Sequence, residues 1–437
     1  MPVNVVVGMQ RGDEGKGRFV DMLAEEHDIV ARFNGGNNAG HTVLLPNNVE
    51  LDLHLVPSGI AHENTVNVIG SGTFVNPDKL VDEIDEIRDK GVDVSTENLK
   101  ISGAAHLILP HHIFKDVIRE CGDQAQGSTK MGISPVASFK AARENVRVED
   151  LKRDIHYVYE VALNGLREQK LERAKHNLDP INETEIASEF IMKAMKLAEY
   201  TTDTVLYLNK SLRQDRPSRV LAEGAQAFLL DIDHGMYPFV TSSSTTVGAV
   251  STGLGVPPHF IDKVHGIVKA VPSHVGGGPF VTEIKDTDLL NSLHGDMSAI
   301  DAEKGTTTGR VRRLGNLDLP QIRRALMVNG TDENMTIALS KLDWIPRFGP
   351  LLDVCVAYER KGKTIDIAPD AAYKLDQSKP VYERLENWDP SIDITGVKTF
   401  YDLPKQAQKL VRFIEEQLET DIDMIGVGPR RDQVIVK

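Results

Sequence analysis

Cysteine is almost absent from this chain: Cys121 and Cys355 are the only two, and they lie far apart. They exclude a disulfide framework and a four-sulfur metal site, and both are expected as reduced thiols in the core. Long apolar runs are absent as well; none approaches the roughly 20 residues of a membrane-spanning helix. Low-complexity tracts, internal repeats and linkers rich in Ser, Gly or Pro are missing. So is any basic block, since acidic and basic residues are interspersed and the formal net charge is -14. That balance excludes the broad basic face of a nonspecific nucleic-acid binder, so neither nucleic acid nor membrane is expected as a partner. Phosphate ligands stay open, because a few Lys and Arg focused in one cleft suffice to hold them. The first residues enter an apolar run at once, without a basic region or a cleavage site, which makes the cytoplasm the expected compartment.

What is present has a globular composition, 41% hydrophobic and 26% charged over 437 residues. Length alone permits two to three domains, but the pattern reads as a single α/β unit over 1–437 with insertions. Residues 3–7 are short, β-branched and followed by glycines, the signature of a strand buried on both faces. A glycine-rich turn, a short helical pattern (Phe19, Val20, Met22, Leu23) and a second strand at Ile29-Val30-Ala31 follow. This order opens an α/β fold whose ligands lie at the carboxyl edge of the sheet. Leu51, Leu53 and Leu55 alternate with Asp52 and His54 in a half-buried strand. From about 150 to 215 the chain is charged, mostly free of Gly and helical in period; Asn182 with Glu185 gives a capping box, and Ile186, Phe190, Ile191, Ala194 and Leu197 mark one apolar face. A mostly helical insertion is expected over about 105–215. Strand patterns resume at 220–222, 264–271 and 336–339. An amphipathic helix on Ala407, Leu410, Val411, Ile414 and Leu418, opened by Pro404, then precedes the strand Met424-Ile425. The expected fold is a large, mostly parallel or mixed sheet flanked by helices.

Five segments carry chemistry. Gly12-Asp13-Glu14-Gly15-Lys16-Gly17 directly follows the first strand. Its glycines let backbone N–H groups approach phosphate oxygens, the helix that follows adds its positive end, and Lys16 adds a mobile cation. A Walker A loop needs Ser or Thr where Gly17 stands, so this loop shares the placement of a P-loop and not its sequence. Glycine turns are more often structural than phosphate-binding. The acid shifts the balance: a carboxylate beside a polyphosphate is repelled unless it holds a cation or transfers a proton, which singles out Asp13. The second segment is Asn34-Gly35-Gly36-Asn37-Asn38-Ala39-Gly40-His41-Thr42. A turn with a surface histidine is its plain reading; a histidine there is also able to protonate a developing phosphate oxyanion.

The third segment runs from Glu223-Gly224-Ala225-Gln226 through Asp231-Ile232-Asp233-His234-Gly235 to a hydroxyl cluster, Thr241-Ser242-Ser243-Ser244-Thr245-Thr246, either an ordinary turn or a set of donors for phosphate. Thr306-Thr307-Thr308-Gly309-Arg310-Val311-Arg312-Arg313 is the fourth, a substrate loop over about 305–313. Arginine forks grip carboxylate or phosphate bidentately, against the plain reading of a solvated charge run. The fifth, Ser340-Lys341-Leu342-Asp343, places an aspartate able to accept from both N–H groups of guanine, a pair that adenine lacks.

Taken together and in this order, these segments resemble the adenylosuccinate synthetase family over nearly the whole chain, as far as Gly426-Val427-Gly428-Pro429. The resemblance implies a ligase of AMP biosynthesis that condenses IMP with L-aspartate through 6-phosphoryl-IMP, uses GTP and Mg²⁺, and releases GDP and phosphate. It implies that Asp13 takes the proton from N1 of the purine and helps bind the metal with the Gly40 carbonyl. His41 is implied as the acid in phosphoryl transfer, Lys16 as the contact to the moving phosphoryl group, and Gln226 as a further catalytic position. For IMP it implies Asn38, Thr129, Gln226, Thr241 and Arg312, with Arg143 reaching the site of the other subunit of a homodimer. For aspartate it implies Val275, Thr307, Thr308 and Arg310. For GTP it implies the loop Gly12, Asp13, Glu14, Gly15, Lys16 and Gly17, then Gly40, His41, Thr42, Arg312, Lys341, Asp343, Gly426 and Gly428.

Departures from the family pattern are local. Arg11 and Arg18 stand where Trp and Lys are usual, and a Thr-Gly-Arg-Gly-Ile-Gly-Pro loop reads Thr129-Lys130-Met131-Gly132-Ile133-Ser134-Pro135, with Lys130 expected to supply the lost charge. Val311 interrupts the basic run, and Ala227-Phe228 replaces Gly-Thr. The alternatives are a paralogue acting on another purine nucleotide such as dGMP, a non-catalytic nucleotide-binding regulator, or a plain GTPase. Phage relatives that use dGMP carry Ser at the position of Asp13, so the retained Asp13 favours IMP; together with Lys16, His41 and Arg310 it also speaks against a mere binder.

Overall fold

The structure is a computed structural model that describes residues 2–45, 49–121, 127–295, 302–304, 309–331 and 333–437. Among them the central sheet has strands β1 (Val3–Gly8), β2 (Ile29–Arg32), β3 (Val66–Ile69), β4 (Leu99–Ser102), β5 (Thr201–Thr202), β6 (Val220–Glu223), β7 (Ile261–Lys269), β8 (Met335–Ser340), β9 (Ile422–Gly426) and β10 (Val434–Val436). Their order across the sheet is β10-β9-β8-β7-β1-β6-β2-β3-β4-β5. Neighbours are parallel throughout, except that β10 runs antiparallel to β9.

The strands are apolar on both sides because both sides are covered. Val6, Val30, Leu221, Ile267 and Ala338 pack under Phe19, Val20 and Ala24 of helix α1 (Lys16–Ala24). Val5, Val7, Ala31, Ala222, Val268 and Leu339 face the opposite layer, where the helices Leu319–Asn329 and Lys405–Leu418 lie. Pro404 precedes the latter helix, and its Ala407, Leu410, Val411, Ile414 and Leu418 are all buried, as the spacing predicts.

From β1 the chain steps out to β2, β3, β4 and β5, returns to insert β6 beside β1, and then builds β7 to β10 on the other flank. β1 is therefore the switch point, where loops leaving neighbouring strands diverge and leave a crevice at their carboxyl ends.

Helices α2 (Pro110–Glu120), α3 (Ile133–Ala142), α4 (Ile155–Lys175) and α5 (Glu183–Lys196) lie between β4 and β5. Asn182 caps α5 through its bond to the Glu185 amide. Two details differ from the helical expectation for this stretch. His106–Leu107 pairs in parallel with Phe74–Val75, and β5 adds an edge strand to the sheet. Segments of two residues have no period for a pattern to display. The thiols also differ from expectation: Cys355 is buried, but Cys121 is exposed at the end of α2, and both are free. An antiparallel sheet of Leu351–Arg360 with Lys363–Ile365 and Lys379–Glu386 packs beside the main core.

Candidate active site

Segments that follow β9, β8, β7, β1, β6 and β2 line one cleft of about 820 Å³. The loop after β1 owes its shape to three left-handed residues, Gly12 (φ 90°), Asp13 (φ 59°) and Gly15 (φ 82°). The buried Glu14 carboxylate closes it, accepting from the Gly12 amide at 2.8 Å and the Gln10 amide at 3.3 Å. It also pairs with Lys16 Nζ at 2.7 Å. With that charge met, the first amides of α1 and its positive end are left for an anion. Gly17 is required by proximity: a Cβ there would lie 2.8 Å from the Cβ of His41.

His41 is buried, and its Nδ1 makes a short contact to Glu223. Glu223 also accepts from the Ser58 amide at 2.8 Å and its hydroxyl at 3.1 Å. Burial lowers the His41 pKa to about 4; Glu223 works against this, while Arg32 and Lys16 assist it. Burial alone would raise Glu223, but His41, Arg32 and the Ser58 amide bring it down to about 2. At neutral pH the pair is thus a neutral imidazole donating from Nδ1 to a carboxylate. Nε2, the unprotonated nitrogen, is left to accept on the cleft side.

Asp13 is held by Arg312, whose Nε donates to Oδ2 at 2.8 Å. Arg312 Nη1 lies 3.2 Å from Glu303, and Glu303 also receives Lys269 and Lys341, each at 2.7 Å. Burial by itself would raise the Glu303 carboxyl, but these three cations hold it below the usual carboxylate range. Lys269, buried without loss of this partner, still falls to about 8, chiefly by desolvation. The network ties the loops after β1, β7 and β8 to the arginine segment.

Most of the residues singled out by sequence meet in this cleft: the loop 12–17, Asn38, Gly40, His41, Thr42, Thr129, Gln226, Thr241, Val275, Arg310, Arg312 and Lys341 all line it. Gln226 Nε2 donates to Asn38 at 3.2 Å, while Gln226 Oε1 and Thr241 Oγ1 are buried without a partner among the described residues, the state expected of groups that bind a ligand. Arg310 reaches across to the Gly127 carbonyl at 3.1 Å. Thr306, Thr307 and Thr308 lie outside the described residues. Asp343, Gly426 and Gly428 stand beyond the lining, although Pro429 and Arg18 belong to it. Gly426 makes room for Arg18, whose Nη2 would sit 2.1 Å from a Cβ at that position. Arg143 is exposed at the end of α3, away from the cleft of its own chain. Lys130 is exposed and does not line the cleft either.

Sequence reasoning passed over Glu303, Lys269, Arg119 and Asp116. Asp116 shapes the loop that bears Thr129, accepting from the Ser128 hydroxyl at 3.0 Å and the Gly132 amide at 2.9 Å. Arg119 donates to Ser134 at 2.9 Å. A lone acid or base on a helix gives no local signal of such a partner. Glu223 stands in a segment already singled out by sequence, but nothing near it in the chain points to His41.

A phosphate loop at the switch point, with a clamped carboxylate and a carboxylate-held imidazole beside it, defines an α/β enzyme of nucleotide phosphoryl transfer. Comparison with known proteins narrows that class. The profile of the adenylosuccinate synthetase family matches residues 5–435. Adenylosuccinate synthetase of Caldicellulosiruptor bescii is 40% identical over 437 residues, covering 100% of this chain and 99% of its own. The enzyme of Acetivibrio thermocellus is 42% identical over 438 residues, with 100% of both covered. Fully ligated adenylosuccinate synthetase of Plasmodium falciparum superposes with a TM-score of 0.89 at 34% identity over 100% of each chain. Succinoaminodeoxyadenylate synthetase of cyanophage S-2L shares the fold, with a TM-score of 0.62 at 18% identity, over 100% of this chain and 95% of that one. The chain belongs to the adenylosuccinate synthetase family.

Proposed function

We propose that this chain condenses IMP with L-aspartate to adenylosuccinate, with conversion of GTP to GDP and phosphate. Phosphorylation of O6 of IMP makes a good leaving group of a poor one, and the amine of aspartate then displaces it. The observation that carries the reading is the meeting, in one cleft, of a phosphate loop, the Asp13–Arg312 pair and the His41–Glu223 pair. A binder of GTP alone needs neither pair.

In this reading Lys16 and the first amides of α1 hold the phosphates, and Asp13 accepts the N1 proton of the purine while Arg312 orients it. Nε2 of His41 faces the transferring phosphoryl group. A polyanion beside it favours the imidazolium, which then donates from Nε2 while Glu223 steadies the charge at Nδ1. Asn38, Thr129, Gln226 and Thr241 hold IMP. Val275, Thr307, Thr308 and Arg310 hold aspartate, and Lys341, Asp343, Gly426 and Gly428 read guanine. The free Asp13 oxygen and the Gly40 carbonyl suit Mg²⁺, which takes one or two protein oxygens and fills its remaining places with water and phosphate. Bound there, the ion would neutralise charge developing on the phosphates.

The exposed Arg143 supports a homodimer in which it serves the neighbouring site. Subunits carrying Arg143→Leu mixed with subunits carrying His41→Asn should then regain activity that neither has alone. Among the described residues no helix is long and apolar enough to cross a membrane. The two free thiols suit the cytoplasm, and the residues are read as one α/β unit bearing the helical insertion.

The deciding experiment is phosphate release with GTP, Mg²⁺ and L-aspartate, with IMP, dIMP, GMP or dGMP as the fourth component. Release with the inosine nucleotides, and the ultraviolet change of product formation, supports the reading. Release with a guanine nucleotide assigns a different substrate, and GTP binding without release assigns a regulator.

A further inference from the structure

Arg11 is 3% exposed and lines the cleft immediately before the phosphate loop. Nε, Nη1 and Nη2 are all buried, and among the described residues none has a hydrogen-bond partner. The guanidinium stacks on Phe280, 4.3 Å from the ring centroid. Phe280 has a second arginine near it, Arg313, at 5.5 Å. The two arginines differ in one respect. Arg313 is satisfied by Glu283 at 2.6 and 2.8 Å and by the carbonyls of Gly276 and Gly278. Among the described residues Arg11 is in no ion pair, and the groups that oppose its charge from further off are Asp318, Tyr358 and Glu283. Asp318 is already engaged, with both oxygens 2.7 Å from the Tyr358 hydroxyl. A guanidinium removed from water with all its donors unused is costly unless a ligand completes it.

Building on the ligase reading, we propose that Arg11 is an anchor for one carboxylate of L-aspartate at the inner end of the cleft. A planar fork grips carboxylate and phosphate alike, and two features of its surroundings select the carboxylate. Arg313 is neutralised by Glu283, and the Asp318 carboxyl offsets part of the Arg11 charge, so the pocket carries at most one positive charge, which suits a monoanionic group better than a dianionic one. The lining beside it, His274, Val275, Gly276 and Gly277, brings no further cation, whereas the phosphate end of the cleft is served by Lys16 and α1. Burial and the nearby Arg11 keep His274 neutral, with a pKa lowered to about 4. Arg310, which lines the same cleft, takes the second carboxylate in this arrangement.

The test compares the parent with Arg11→Met, which keeps an apolar stem on Phe280, and with Arg11→Lys, which keeps charge without the fork. In Arg11→Met the KM for aspartate should rise roughly thirtyfold or more, and the inhibition constant of succinate should rise with it. KM for IMP and GTP should stay within about twofold. Arg11→Lys should fall between parent and Arg11→Met. An aspartate KM unchanged in a folded Arg11→Met protein, with only its melting temperature moved, would overturn the proposal and leave Arg11 a structural residue. Should Arg11→Met fail to fold, an unchanged aspartate KM in Arg11→Lys overturns it equally. If the parent releases no phosphate with any nucleotide, the ligase reading fails by itself. Succinate binding by calorimetry, to parent and Arg11→Met, then still decides whether Arg11 holds a carboxylate.

Discussion

Asp13 and Arg312 are 299 positions apart in the chain and meet at 2.8 Å across the cleft. The pair converts a carboxylate that would repel a polyphosphate into an oriented one, with one oxygen tied and the other open. Asp13→Ala should therefore lower the rate of IMP-dependent phosphate release by roughly 10²–10⁴-fold, the range of a lost general base. Asp13→Asn should do the same while keeping an acceptor for Arg312. Steady-state phosphate release measures both. Near-parental turnover in Asp13→Asn would remove Asp13 from proton transfer.

Glu303 is the common partner of Lys269, Lys341 and Arg312, and it is fully buried. Glu303→Gln leaves three cations facing one another, and removal of one side of a buried pair costs about 3–5 kcal/mol. Some of that is relieved because Lys269, already lowered to about 8, loses its proton more readily. Denaturant unfolding should show the loss. A variant as stable as the parent would mean that the network contributes position and not stability.

Nucleotide binding should take up a proton. In the free protein the His41 pKa is lowered to about 4, so the ring is neutral at pH 6. Phosphates placed beside Nε2 raise that pKa, and the ring then gains a proton on binding. Calorimetry of GTP binding at pH 6, in buffers of different ionisation enthalpy, reads the uptake directly. Glu223→Gln should reduce it, since the carboxylate favours the imidazolium. Equal enthalpies in all buffers would refute the protonation step.

Acid should destabilise the fold from about pH 6.5 downward. His41, His106, His111, His265 and His274 are lowered to about 4 and His112 to about 2, all chiefly by burial. Between those values and 6.5 the unfolded chain binds more protons than the folded one, so stability is lost as pH falls through this window. Asp318, raised to about 6 by burial, acts in the opposite sense, as do Glu83 and Asp116, but the histidines outnumber them. Melting temperatures taken from pH 7 to 4.5 should decline steadily.

Asp343→Asn tests the reading of guanine. Its discrimination of GTP against ITP should fall by about tenfold or more, because an amide cannot accept from both ring and exocyclic N–H groups. Relative kcat/KM for the two nucleotides is the measurement, and an unaltered ratio would place guanine recognition elsewhere.

The parts of this molecule that the sequence displays are those whose cause is local. Residues 3–7 are β-branched and unbroken because β1 is covered on both faces, and Pro404 with the spacing of Ala407 to Leu418 states a helix and its buried side. The phosphate loop is legible because only glycine relieves Gly12, Gly15 and the contact of Gly17 with His41. Partnerships across the chain were not legible. Glu223 lies 182 positions from His41, and Glu303 gathers cations from three separate loops. β5 has two residues and exists only because β4 offers an open edge. Arg11 reads as one more charge in a polar turn, although it lies almost wholly out of water.

The central place of β1 has a consequence for biosynthesis. Its two lateral neighbours, β6 and β7, begin at Val220 and Ile261, so β1 leaves the ribosome with no neighbour on either side until the middle of the chain follows. At about 5–20 residues per second this is a wait of roughly ten to forty seconds. Throughout that interval Val3, Val5, Val6 and Val7, with both strand edges unpaired, offer an apolar ribbon to other nascent chains. The topology that puts the loop of residues 12–17 at the middle of the sheet thus leaves the strand before it unpaired through the synthesis of half the chain.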